Sequence, residues 1–152
     1  MTGQALDLLV DNIQYLNASL SQSTVFYREA GDPSGPTMLL LHGFPTSSHM
    51  FRLLVPALAL YMHVIAPDLP GFGLTTESHS GFNYTFDNLA GVVDELIQHL
   101  GVSHYFLYAM DYGAPVGFRL MAAHPEHILG LVVQNGNAYE VGLTDAWVNI
   151  RR

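Results

Sequence analysis

The chain has 152 residues, enough for one domain with a buried core. Apolar residues make up 49% of it and charged residues only 12%, about half the usual ~25%; that balance excludes a disordered chain and leaves part of the surface uncharged. Five Lys and Arg against thirteen Asp and Glu give a net charge of −8, with no basic cluster beyond the pair Arg151 and Arg152, which argues against a nucleic acid or an anionic membrane as partner. The absence of cysteine excludes disulfides and Cys-ligated metals and fits a reducing, cytoplasmic setting. The N-terminus has no positively charged start, and Asp7 and Asp11 interrupt its apolar residues, so no signal peptide is expected. The longest uncharged apolar run, Leu53 to Ala66, contains Pro56 and His63 and falls short of the ~18 residues of a membrane helix.

Residues 1–10 read as an N-terminal tail. From Ile13 the texture is α/β. Ile13–Ala18 and Thr24–Ala30 read as strands, followed by the turn-dense Gly31-Asp32-Pro33-Ser34-Gly35-Pro36. Thr37–Leu41 is a short continuous apolar run, as expected of a strand covered on both faces. Ser47 or Ser48 then caps a helix with Phe51, Leu54, Val55 and Leu58 on its apolar face, bent or shortened by Pro56. Met62–Ala66 is the next strand, ending in the loop Pro67-Asp68-Leu69-Pro70-Gly71-Phe72-Gly73.

The clearest helix runs from Thr85 to Leu100. Phe86, Leu89, Ala90, Val93, Leu96, Ile97 and Leu100 recur every three or four residues, Thr85 suits the N-cap and Gly101 the stop. His104–Tyr108 is a strand, Pro115–Ala123 a helix stopped by His124-Pro125, and Ile128–Val133 a further strand. Strands alternating with helices predict a mostly parallel sheet with helices on its faces.

Three stretches carry chemistry. In Tyr105-Phe106-Leu107-Tyr108-Ala109-Met110-Asp111-Tyr112-Gly113-Ala114-Pro115 an apolar strand runs straight into a helix, with small residues Ala109 and Gly113 two positions either side of Asp111. A side chain on so sharp a turn stands exposed above the sheet, next to the free N–H groups of a helix start. An aspartate there can attack carbon and form a covalent ester. It can equally serve as a helix N-cap. Leu39-Leu40-Leu41-His42-Gly43-Phe44-Pro45 is a buried strand followed by a loop whose backbone N–H groups can face that turn; for His42 alone a structural role is the simpler reading. Asp68-Leu69-Pro70-Gly71-Phe72-Gly73 is a tight turn after the fourth strand.

Together and in this order, these motifs resemble the α/β-hydrolase superfamily, and within it the epoxide hydrolase and haloalkane dehalogenase branch, over about Phe26 to Gly142. The resemblance implies Asp111 as the nucleophile. It implies the backbone N–H groups of Phe44 and Tyr112 as an oxyanion hole, and an active-site loop shaped by His42, Gly43 and Pro45. Asp68 to Gly73 would be structural. Dehalogenases of this branch typically carry Asn at the position of Phe44 and Trp at that of Tyr112, so the halide-holding pair is replaced, and Phe44 looks more like the epoxide hydrolase version. The expected substrate is small and apolar, with no cofactor and no metal.

The family's chains continue with a helical cap and two more strands that hold the catalytic acid and the general-base histidine. Residues 11–140 therefore read as the N-terminal part of the core, and 141–152, with Asp145-Ala146-Trp147, as the start of the cap. None of the eight histidines is expected to replace the base. His124 and His127 flank a proline at a helix end and read as surface residues without a supporting carboxylate or third ligand. Two expectations follow. The 152-residue chain should alkylate at most once, its alternative being a non-catalytic fragment or binding relic. The strand at Ile128–Val133 should form a sheet edge open to self-association.

Overall fold

The computed structural model describes residues 12–77 and 81–139. The expected tail at 1–10 and the expected cap start at 141–152 lie outside the described residues.

Seven strands form one sheet: β1 (Gln14–Ser19), β2 (Ser23–Ala30), β3 (Thr37–Leu41), β4 (His63–Pro67), β5 (Thr76–Glu77), β6 (Tyr105–Met110) and β7 (Ile128–Gln134). Their order is β1-β2-β4-β3-β6-β7, with β5 paired to β2 outside that path. The β4, β3, β6 and β7 ladders are parallel, while β1, β2 and β5 pair antiparallel. The sheet is thus mixed and mostly parallel in its working half. Among the described residues three α-helices flank it: α1 (Leu54–Leu58), α2 (Phe86–His99) and α3 (Gly113–Ala123).

The central strands are apolar throughout because both faces are covered. Successive residues point to opposite sides, and the packing follows that alternation. Leu39, Leu41, Ile65, Leu107 and Ala109 join one cluster with Leu89, Val93, Leu96 and Ile97 of α2 and Val116 and Leu120 of α3. Leu40, Val64 and Ala66 join a second cluster with Phe51 and Val55 on the other face. Helix α2 matches its sequence signals: the Thr85 hydroxyl accepts from the Asn88 N–H at 3.2 Å, and the chain leaves the helix through Gly101 at φ +70°.

The helix expected after Ser47 is two pieces. Ser47 caps a 3-10 turn, Ser48–Phe51, and α1 begins afresh at Leu54. Pro56 falls in the first turn of α1, where its missing N–H has no helical partner to lose. The two-residue β5 has no apolar alternation and gives no strand signal in the sequence.

Among the described residues, strand β7 pairs with β6 on one side and is the last strand of the sheet on the other. Leu129, Leu131, Val132 and Val133 are exposed along it, on both faces. No helix among the described residues is long and apolar enough to cross a membrane.

Candidate active site

Strand β6 delivers Asp111 to the C-terminal edge of the parallel strands, and α3 departs two residues later. The reversal is so tight that Asp111 adopts φ +48°, a left-handed conformation that non-glycine residues seldom occupy and that costs of the order of 1–3 kcal/mol. The surroundings enforce it. A Cβ on Gly113 would sit 2.4 Å from the Leu41 carbonyl oxygen, and one on Gly117 would sit 2.9 Å from Leu107 Cδ2. At position 113 the clash is with backbone and only glycine lets α3 lie against β3, whereas at position 117 the Leu107 side chain would have to give. From the β7 side, the Asp111 N–H donates to the Gln134 carbonyl at 3.3 Å.

The carboxylate of Asp111 does not cap the helix. A capping residue has extended φ/ψ and accepts from an N–H two or three positions on. Asp111 instead has positive φ, and the N-cap position is Tyr112, with no side-chain capping bond. Asp111 Oδ1 accepts from the Phe44 N–H at 2.8 Å and from the Tyr112 N–H at 2.7 Å. No hydrogen bond to Oδ2 is found among the described residues. The two backbone donors that the sequence singled out thus converge on one oxygen of the residue at the turn's apex. Gly43 makes the approach of the Phe44 loop possible, since a Cβ there would lie 2.3 Å from Asp111 Cβ. Thr46 closes that loop, donating through its N–H and its hydroxyl to the Gly43 carbonyl, and the Phe44–Pro45 peptide is cis.

His42 lies fully buried beneath the loop. Its Nδ1 pairs with the Gly43 carbonyl and its Nε2 with the Leu69 N–H, both at 3.0 Å. A carbonyl can only accept and an N–H can only donate, so the ring is the neutral Nδ1–H tautomer. Burial disfavours the imidazolium and holds the pKa below the usual histidine value, against smaller opposing effects of the Gly43 carbonyl and Asp68. His42 ties the Phe44 loop to the Asp68 loop and has no nitrogen left for proton transfer.

Asp68 is the centre of a buried polar knot. Its Oδ1 accepts from the Ser48 N–H at 2.7 Å and from the Ser48 hydroxyl, its Oδ2 accepts from the Leu74 N–H at 2.9 Å, and Arg28 Nη1 stands 3.8 Å from Oδ1. Arg28 also donates to the Ser48 hydroxyl. Thr75 completes the knot, donating to the Asp68 carbonyl and accepting from the Phe26 N–H. Gly73, at φ +57°, is required because a Cβ would land 1.9 Å from Asp68 Oδ2. No sequence signal ties Arg28, Ser48 and Thr75 to Asp68, since these residues lie far apart along the chain.

Around Asp111 the walls are aromatic. Tyr112 packs against Phe44, Phe72 and Phe86 at ring-centroid distances of 5.5, 6.4 and 5.2 Å, and Phe44 meets Phe72 at 6.3 Å. Phe86 joins the site through the fold, beyond the residues expected from sequence. The result is a carboxylate held by two N–H donors beside an apolar, aromatic surface.

The surface histidines differ from expectation at one point. Glu126 lies between His124 and His127, with Oε1 3.6 Å from His124 Nδ1 and 3.7 Å from His127 Nε2. The pair does have a carboxylate, because the 3-10 turn Pro125–His127 folds all three side chains together.

Comparison with known proteins agrees with this architecture. An uncharacterized hydrolase of Saccharomyces cerevisiae is 54% identical over 121 residues, covering 80% of this chain and 41% of the relative. A haloalkane dehalogenase of Bradyrhizobium diazoefficiens is 37% identical, covering 78% of this chain and 38% of the relative. Among solved structures, the haloalkane dehalogenase DbeA from Bradyrhizobium elkani superposes with a TM-score of 0.77 at 36% identity, covering 82% of this chain and 42% of that one. A candidate epoxide hydrolase from Pseudomonas aeruginosa gives 0.74 at 31% identity, covering 80% and 40%. The chain thus spans about 40% of the length of these relatives. The alpha/beta hydrolase fold family matches residues 36–152, and the chain belongs to that family.

Proposed function

We propose that Asp111 is the nucleophile of a hydrolase that forms an alkyl-enzyme ester with a small apolar epoxide or alkyl halide. The observation that carries this reading is the hold of the Phe44 and Tyr112 N–H groups on Asp111 Oδ1 alone. With one oxygen fixed, the carboxylate is oriented and Oδ2 is presented for attack. Oδ2 forms a bond to the electrophilic carbon, and the carbon–halogen or ring carbon–oxygen bond breaks with its electron pair on the leaving atom. Halide leaves as the anion, whereas the epoxide oxygen takes a proton from solvent water. The ester carbonyl oxygen, Oδ1, then already lies in the two-donor cradle where negative charge develops when water adds to the ester. The aromatic walls favour an apolar substrate over a charged one.

Hydrolysis of the ester needs a base to activate water. His42 is committed to the loop on both nitrogens. We expect the 152-residue chain tested by itself to stop at the ester, and its second reading is a fragment that binds or is alkylated without turnover. The test is halide release from a bromoalkane in excess. The expected result is a burst of one equivalent per chain followed by no turnover, abolished in Asp111→Asn. Continuous release would refute the stalled ester, and absence of a burst would refute the nucleophile.

A further inference from the structure

At the end of α3 opposite Asp111, three side chains of two chemical types converge on one point. His124 and His127 stack nearly parallel, with ring centroids 4.9 Å apart and planes 13° apart. Glu126 Oε1 stands 3.6 Å from His124 Nδ1 and 3.7 Å from His127 Nε2, and one ligand atom from each residue lies within 4.8 Å of the others. We propose that His124, Glu126 and His127 form a surface site for a divalent transition-metal ion of the zinc type.

The distances fit such an ion. Metal–nitrogen and metal–oxygen bonds of about 2.0–2.2 Å place tetrahedral ligand atoms about 3.4 Å apart. The carboxylate is within a few tenths of an ångström of that separation from each ring, and all three side chains reach solvent, so rotation closes the remainder. Imidazole and carboxylate together suit zinc, copper or nickel better than magnesium or calcium, which prefer oxygen alone.

A second observation supports the site. Asp94 of α2 places Oδ2 3.6 Å from His124 Nε2. A carboxylate on that side favours the tautomer with its proton on Nε2, leaving the Nδ1 lone pair for the metal, the outer-sphere arrangement common around ligating histidines. The position also suits a cation, since the carbonyl end of α3 is the negative end of its dipole. His104, whose ring lies 6.2 Å from that of His127, is a further imidazole for the fourth position, which water fills otherwise.

A bound ion would join the end of α3, the start of β7 and, through Asp94, α2. The site is separate from the ester chemistry and would act as a clamp on the sheet's outer side.

The test is titration of the untagged 152-residue chain with Zn²⁺ by calorimetry at pH 7.5, with Co²⁺ absorption reporting the coordination geometry. Saturable one-to-one binding is expected, with a rise in the thermal midpoint that EDTA reverses. His124→Ala, His127→Ala and the conservative His127→Gln should each weaken binding more than tenfold, Asp94→Asn about tenfold, and His99→Ala not at all. Far-ultraviolet circular dichroism checks that each variant is folded. Lack of saturable binding, or unchanged affinity in folded His124→Ala and His127→Gln, would overturn the proposal.

Discussion

Replacing Gly43 by alanine asks whether the Phe44 loop and the turn at Asp111 are as tightly engaged as their geometry states. The new Cβ would lie 2.3 Å from Asp111 Cβ, 2.7 Å from Oδ1 and 2.9 Å from Cγ, all well inside van der Waals contact. Asp111 cannot retreat, because its backbone is fixed by Gln134 on one side and by the Gly113 contact with Leu41 on the other. Overpacking of this kind costs about 1–3 kcal/mol. Moving the loop to relieve it stretches the Phe44 N–H bond to the carboxylate, and a hydrogen bond to a charged group contributes about 1.5–3 kcal/mol. The two costs are partly alternatives, and the lower entropy of the unfolded alanine chain offsets about 0.4–1 kcal/mol. The net expectation is a loss of about 2–3 kcal/mol. Gly91→Ala is the matched control. Gly91 lies inside α2, and a Cβ there would meet nothing within 4 Å, so alanine should stabilise by about 0.5–1 kcal/mol. Urea unfolding of both variants, with the slope m checked for constancy, measures the difference. A Gly43→Ala chain as stable as wild type would refute the claimed closeness of loop and elbow.

Three further outcomes are expected. Asp68→Ala strands the buried Arg28 without its carboxylate and should cost about 3–5 kcal/mol in the same urea assay; a loss below about 1 kcal/mol would show that the knot is not needed. His42 has a folded pKa below the ordinary value because burial disfavours its charged form. Its contribution is therefore complete above the unfolded pKa of about 6.5 and is lost as pH falls through that value toward the folded one, at up to about 1.4 kcal/mol per pH unit. Ring nitrogen shifts showing His42 protonated near pH 6.5 in the folded chain would contradict this. We also propose that the β7 edge pairs with a second copy. Val132→Lys, on a residue 48% exposed, should shift light-scattering mass toward monomer, and a wild-type chain that is monomeric at high concentration would oppose the idea.

What is legible in the sequence is what local chemistry dictates. Thr85 and Gly101 bracket a helix whose apolar spacing is unambiguous, and the structure places it at Phe86–His99. The apolar run Thr37–Leu41 fits a strand covered on both sides, and it is one. The elbow at Asp111 is legible because small residues flank an acid between a strand and a helix, although that pattern leaves capping and nucleophile open until φ and the Oδ1 contacts separate them. What stays hidden depends on residues far apart in the chain. Ser48 reads as a helix cap but is drawn into the Asp68 knot by Arg28, while Ser47 takes the cap. Thr76 and Glu77 form a strand only because β2 offers Ser23 and Thr24 as partners. Glu126 escapes notice as a partner of His124 and His127 because only the 3-10 turn stacks those two rings, three residues apart, beside its carboxylate.

The central claim is that Asp111 is the group that reacts. Tandem mass spectrometry of the chain after incubation with a bromoalkane, compared with Asp111→Asn, tests it most directly. The predicted result is one alkyl group per chain, mapped to Asp111 as an ester and missing from the variant. An adduct mapped to another residue, such as the exposed His49 or the half-buried His124, or equal labelling of the variant, would contradict it.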